Sequence, residues 1–218
     1  MPLPGGELSP FQREVLDRLF ERERGFFLTG GAALVGYYLH HRVTDDLDLF
    51  TLDESAFERG PRVLAEVAHA AGARLEVRQE SPAFRRAALA RDNELVVVDM
   101  VLERVPQIHA NKAEIDNVLV DPADEILANK LSAIVGRMEE RDLVDVLFLE
   151  RAGYKVEDAL EGALRKDGGC TPATLAWLLS EMRIPDEAAL PAGVSPAELR
   201  AFIEDLVTRT RRAALPKT

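Results

Sequence analysis

The segment Phe26–Thr51, FFLTGGAALVGYYLHHRVTDDLDLFT, constrains the fold more than any other part of the chain. A short apolar run ending at Thr29 breaks on Gly30-Gly31 and passes into a stretch of helical character, Ala32 to His40. A polar turn, Arg42 to Asp45, then leads into Asp46-Leu47-Asp48-Leu49-Phe50. Successive side chains of a strand alternate between its faces, so Asp46 and Asp48 share one face while Leu47 and Leu49 point to the other. Two carboxylates held that close repel, and without a cation at least one pKa should rise. Hard divalent cations such as Mg²⁺ take such oxygens and complete their shell with substrate phosphates. Backbone N–H groups at a glycine bend that opens a helix can cradle phosphate oxygens. A cradle at Gly30 and Gly31 beside a carboxylate pair points to chemistry on a nucleoside triphosphate. Either feature alone has a plainer reading, a tight turn or a solvated strand edge. The apolar neighbours Leu47, Leu49 and Phe50 argue against a surface loop.

Composition narrows the class further. With 218 residues, 47% of them hydrophobic and 30% charged, the chain can bury a sizeable core in one or two domains. Its single cysteine, Cys170, excludes an intramolecular disulfide and a thiolate metal site. The opening MPLPGGELSP lacks the basic and apolar regions of a signal peptide, and no apolar run reaches membrane-spanning length, so the expected location is cytoplasmic with no membrane partner. A net charge of −11 argues against a protein that coats nucleic acid, which needs a positive footprint. Local basic patches are confined to Arg85-Arg86 with Arg91, and to the tail residues Arg209, Arg211, Arg212 and Lys217.

Along the chain, Ser9-Pro10-Phe11-Gln12 reads as a capped start of an amphipathic helix running to Arg24. Asp53 caps a helical region to about Ala71, with a break expected at Gly60-Pro61. Arg74–Gln79 alternates as a half-buried strand would, and Ala83–Ala90 and Glu94–Leu102 read as a hairpin turning at Arg91-Asp92-Asn93. The second of these, ELVVVDMVL, is a nearly continuous apolar run that belongs at the centre of a sheet, yet it carries Asp99. A carboxylate in such a run is costly unless a cation or hydrogen bonds meet it. Glu103–Glu114, with His109, reads as a linker, and Asn117–Val120 as a last short strand. From Asp121-Pro122 onward the pattern is helical, which sets expected domains at 1–120 and 121–218. Within that part, ADEILANKLSAIVGR places Lys130 on a partly apolar helix face with Arg137, and EERDLVDVLFLE puts Asp142 and Asp145 on one face of the next helix. Trp177 and Leu178 are expected in the core.

Gly30-Gly31, a short helix, then Asp46-x-Asp48 in an apolar strand resembles the first motif of the DNA polymerase beta-like nucleotidyltransferase superfamily. Within it, GGAAL…HHRVTDDLDLF, followed by Lys130, Arg137 and Arg141-Asp142-Leu143-x-Asp145, is most similar to the AbiEii/AbiGii toxin type of abortive-infection and toxin–antitoxin systems. The resemblance spans about Phe27 to Leu149 and implies an α/β (α+β) nucleotidyltransferase fold: a small mixed sheet flanked by helices, then an all-helical C-terminal domain. It implies Mg²⁺ or Mn²⁺ held by Asp46, Asp48 and Asp99, and an NTP bound by Gly30, Gly31, Lys130 and Arg137. Asp145 completes the catalytic set, with Asp142 the competing assignment. The implied reaction moves an NMP to a hydroxyl of RNA, such as tRNA, or of protein, and a toxin implies a cognate antitoxin. Ala32 departs from the Ser or Thr that usually follows the glycines. It supports a rival reading, a nucleotide- or partner-binding module without turnover; a plain NTP hydrolase is a third, weaker rival.

Overall fold

Ser9 opens the fold as its sequence predicts. Its hydroxyl accepts the Gln12 N–H at 3.1 Å while the Gln12 side chain accepts the Ser9 N–H at 2.8 Å, and this reciprocal box starts helix α1, Pro10–Phe20. The helix stops at Phe20 and does not run on to Arg24, because the chain turns to bring Glu23 inward. Glu23 is buried, accepting the Gly25 N–H at 2.8 Å and pairing with Arg59 at 2.7 Å.

The computed structural model describes residues 7–215, which fall into two compact units. The first comprises the described residues through Arg104 together with Asn111–Pro122, and the second Val105–Ala110 with the chain from Ala123 onward. Lys217 lies outside the described residues.

The first unit is a seven-stranded mixed sheet in the order β3-β4-β5-β2-β1-β7-β6. Its strands are β1 Phe27–Thr29, β2 Asp46–Thr51, β3 Arg74–Ser81, β4 Phe84–Arg91, β5 Glu94–Leu102, β6 Ala113–Ile115 and β7 Val118–Val120. Neighbours β2 and β5, and β1 and β7, run parallel; the other pairs are antiparallel. Strand β6 overlaps the end of the expected linker. Asp116 and Asn117, both at positive φ, turn it back onto β7, a geometry these two residue types tolerate better than most. Strand β2 alternates as expected, with Leu47, Leu49 and Thr51 buried and Asp46, Asp48 and Phe50 partly exposed on the opposite face. Strand β3 departs from its expected half-burial. It is the sheet edge, and Val77 is 64% exposed.

Helix α3, Glu54–Ala70, packs against the sheet's apolar face, where a Cβ at Gly60 would meet Met100 Sδ at 2.8 Å. The expected break at Gly60-Pro61 is absent. Proline removes the N–H that would bond the carbonyl four residues back, and Arg85 Nη1 donates to that carbonyl, on Phe57, at 2.5 Å instead. The helix therefore runs through its proline with the orphaned acceptor satisfied.

The second unit is helical: α4 Ala123–Arg137, α5 Glu140–Arg151, α6 Val156–Lys166, α7 Pro172–Glu181 and α8 Pro196–Ala213. Glu125, fully buried on α4, accepts the N–H groups of Ile108 and His109 at 2.8 Å each and faces the Lys166 ammonium, so the Val105–Ala110 segment is tied to this unit. Gly162 on α6 makes room for Ile108, whose Cδ1 would lie 2.3 Å from an added Cβ. Trp177 is not core: the packed face of α7 is formed by Leu175, Ala176 and Leu179, and the indole points outward at 63% exposure. Cys170 is buried and free, and burial pushes its thiol up to about 11. Among the described residues, no helix is long and apolar enough to cross a membrane.

Candidate active site

Strand pairing builds a row of polar side chains in the first unit. Thr29 lies opposite Asp48, Asp48 beside Asp99, and Asp99 opposite Arg86, so one row crosses β1, β2, β5 and β4. Side chains in register on adjacent strands share a face. Asp46, two residues before Asp48, joins them there. The buried Asp99 is not bare: Arg86 grips it through Nε–Oδ1 at 2.7 Å and Nη2–Oδ2 at 2.6 Å. Those bonds, with the further charges of Asp46 and Asp48, hold the Arg86 guanidinium well above its ordinary pKa against the opposing effect of burial.

Gly30 begins helix α2, Gly30–Ala33, which runs on into one π turn, Leu34–Tyr38, closed by Leu39 N–H to Leu34 O at 2.7 Å. Its φ is +63°, and a Cβ there would stand 2.2 Å from Asp48 Oδ2. Only glycine meets both demands. A Gly30→Ala chain should lose about 1–3 kcal/mol from the backbone alone, with Asp48 pushed off its rotamer. Urea unfolding checks this, and an unchanged midpoint would refute the constraint. At Gly31 a Cβ would lie 2.4 Å from Arg42 Nη2, so this guanidinium rests against the glycine backbone.

A buried network that the sequence did not reveal fixes the glycine turn from behind. Asp121 Oδ2 accepts the Thr29 hydroxyl at 2.7 Å, Lys112 Nζ approaches Asp121 Oδ1 at 2.6 Å, and Tyr38 donates to the Asp121 carbonyl at 3.0 Å. The two ends of the Gly30–Tyr38 segment are thus bound to one residue. In the sequence, Asp121 before Pro122 reads only as a helix cap, and nothing marks Lys112.

Asp46 and Asp48 supply the oxygen donors that a hard dication prefers. Among the described residues, no cluster of three or more His, Cys, Asp or Glu side chains is arranged to hold a metal. Both oxygens of Asp99 face the Arg86 fork.

In the helical unit, Lys130 Nζ stands 2.7 Å from both Asp142 Oδ1 and Asp145 Oδ2, with both aspartates fully buried. Arg137 completes the cluster, its Nε 2.9 Å from Asp142 Oδ2 and Nη2 3.1 Å from Oδ1. Burial alone would lower the Lys130 pKa, but Asp145 and Asp142 outweigh it and raise it. Burial likewise opposes the Asp142 charge, and Lys130 and Arg137 override it, so its carboxyl sits below the usual range. The ammonium therefore pairs with both aspartates at once. His109, 2.6 Å from Asp124, is paired and has no part in the cluster.

A mixed sheet with a glycine turn facing an Asp-x-Asp strand, preceding a helical unit, is the architecture of a nucleotidyltransferase. Two solved structures from Helicobacter pylori share the fold. One is a protein provisionally described as a nucleotidyltransferase, 15% identical with a TM-score of 0.57, over 94% of this chain and 95% of that one. The other, JHP933, is 16% identical with a TM-score of 0.57, over 95% and 97%. No curated protein matches the chain in sequence. The family model described as nucleotidyl transferase AbiEii toxin, type IV toxin–antitoxin system, matches residues 14–215. The chain belongs to this AbiEii family.

Proposed function

We propose that the protein is a metal-dependent nucleotidyltransferase that moves an NMP from an NTP to a hydroxyl of RNA or protein, acting as the toxin of a toxin–antitoxin pair. The observation that carries this reading is the Gly30–Asp48 contact. A position that only glycine can occupy packs against the Asp48 carboxylate, which shares a sheet face with Asp46 and Asp99. Asp46 and Asp48, with Asp99 beside them, would hold Mg²⁺ or Mn²⁺, which when bound would supply charge neutralisation for the triphosphate and the leaving pyrophosphate.

The chain's own groups do the rest. Backbone N–H groups at Gly30 and Gly31 receive phosphate oxygens, as glycine-rich turns do elsewhere. The acceptor oxygen attacks the α-phosphorus, the bond to the bridging oxygen breaks, and pyrophosphate leaves. The acceptor's proton passes toward the Asp99 carboxylate or to solvent. The family resemblance gives Lys130 and Arg137 a role toward the triphosphate, and within the helical unit Lys130 is aligned by Asp142 and Asp145. Ala32, fully buried, leaves phosphate contact to backbone groups at that position. Family membership also brings a cognate antitoxin, which on this reading limits the transfer.

Incubation with Mg²⁺, each α-³²P-labelled NTP in turn, and total RNA and protein should label one acceptor class and release pyrophosphate in equal amount. NTP binding without label or pyrophosphate from all four would replace this reading with that of a binding module. Release of phosphate or pyrophosphate without label would replace it with that of a hydrolase.

A further inference from the structure

We propose that Arg86 is a further residue of the site: a resident cation that holds Asp99 in the empty protein and competes with divalent metal for it. The pairing is set by the sheet, since β4 and β5 place Arg86 directly opposite Asp99. The fork closes on both carboxylate oxygens, at 2.7 and 2.6 Å, the bidentate geometry that guanidinium and carboxylate favour. The two partners differ in freedom. The Asp99 side chain is 8% exposed and sits between two paired strands, whereas the Arg86 side chain is 42% exposed and bordered by the Phe84 ring 5.6 Å away. Asp99 must stay, and Arg86 can swing into solvent.

Asp48 is the register neighbour of Asp99, so a dication drawing on both must stand where the guanidinium charge already acts. Each carboxylate oxygen has a second lone pair, so valence does not forbid sharing. Like-charge repulsion does oppose it. Whether the fork leaves or stays, it weakens metal binding, and removing its charge must tighten it. A plain structural ion pair would fix β4 to β5 and leave metal affinity unmoved. The inference rests on the reading of Asp46 and Asp48 as metal ligands.

The test is Mn²⁺ binding to the full chain, followed by the paramagnetic resonance of free Mn²⁺ and by calorimetry, with no substrate present. Arg86→Gln should bind Mn²⁺ about tenfold more tightly than wild type, a change of about 1.4 kcal/mol. Arg86→Lys, which keeps the charge, should stay near wild type, and Asp99→Asn added to Arg86→Gln should cancel the gain. Melting temperatures provide a second readout: the rise on adding Mn²⁺ should be larger in Arg86→Gln than in wild type. Equal or weaker Mn²⁺ binding by Arg86→Gln overturns the role of Arg86 while leaving the metal reading intact. A gain that survives Asp99→Asn does the same. Absence of Mn²⁺ binding in wild type and in Arg86→Gln overturns the metal reading itself.

Discussion

Asp48→Ala should lower nucleotidyl transfer by at least about 10²–10³-fold, the scale on which removing one preorganised charge-stabilising group acts, while leaving the protein as stable as wild type or more so. The two halves of this outcome have one cause. Asp48 shares a sheet face with Asp46 and Asp99, and its Oδ2 crowds Gly30 so closely that no other residue fits there. On that face Asp48 repels Asp46 and Asp99, and removing its charge relieves this repulsion. Residues held for chemistry against the interest of the fold show this opposition of activity and stability. Labelled transfer and a melting curve on the same preparation decide it. Lost transfer with a melting temperature several degrees lower would mean that Asp48 supports the fold, and the activity loss would then say nothing of catalysis.

How much of this was legible depended on whether a signal was local. The β2 alternation, the Ser9 box and the Gly-Gly bend each depend on residues within a few positions, and they appear where the sequence places them. Asp99 was visible as an anomaly, a carboxylate in an apolar run, but its partner was not. Arg86 meets it only through the β4–β5 register, and from the sequence it is half of a basic doublet. Pro61 misled for the same reason, since the group that satisfies the Phe57 carbonyl comes from β4, 28 positions away. Lys112 and Asp121 pair across β6 and β7, strands too short for periodicity to declare, and the start of β6 passed for linker. Trp177 shows the limit of composition. A lone tryptophan reads as core, yet α7 buries smaller residues and turns the indole outward.

Lys130→Met should be the most destabilising of the site substitutions, at about 3–5 kcal/mol, because it takes the shared ammonium away from two buried carboxylates. Asp142 and Asp145 are each fully buried, and Lys130 stands 2.7 Å from both. Asp142 keeps Arg137 when Lys130 is gone. The pH dependence has a definite sign at each end. The Lys130 pKa is raised above its ordinary 10.5, so its contribution is complete below that pH and is lost as pH rises through the folded value. The Asp142 pKa is lowered beneath 3.8, so its contribution is complete above that pH and is lost as pH falls through the folded value. Urea unfolding from acid to alkaline pH should therefore show a plateau with both shoulders in wild type, and the alkaline shoulder should shrink in Lys130→Met. A loss under about 1 kcal/mol would place the cluster in the range of exposed pairs, against its burial. The triple change Lys130→Met, Asp142→Leu, Asp145→Leu separates fold from function, since replacing the buried members of an ion cluster by apolar side chains is often neutral or stabilising and the half-exposed Arg137 can turn to solvent. Recovered stability without transfer would show that these charges are kept for the reaction. Recovered stability with transfer intact would remove Lys130 and Asp145 from the site.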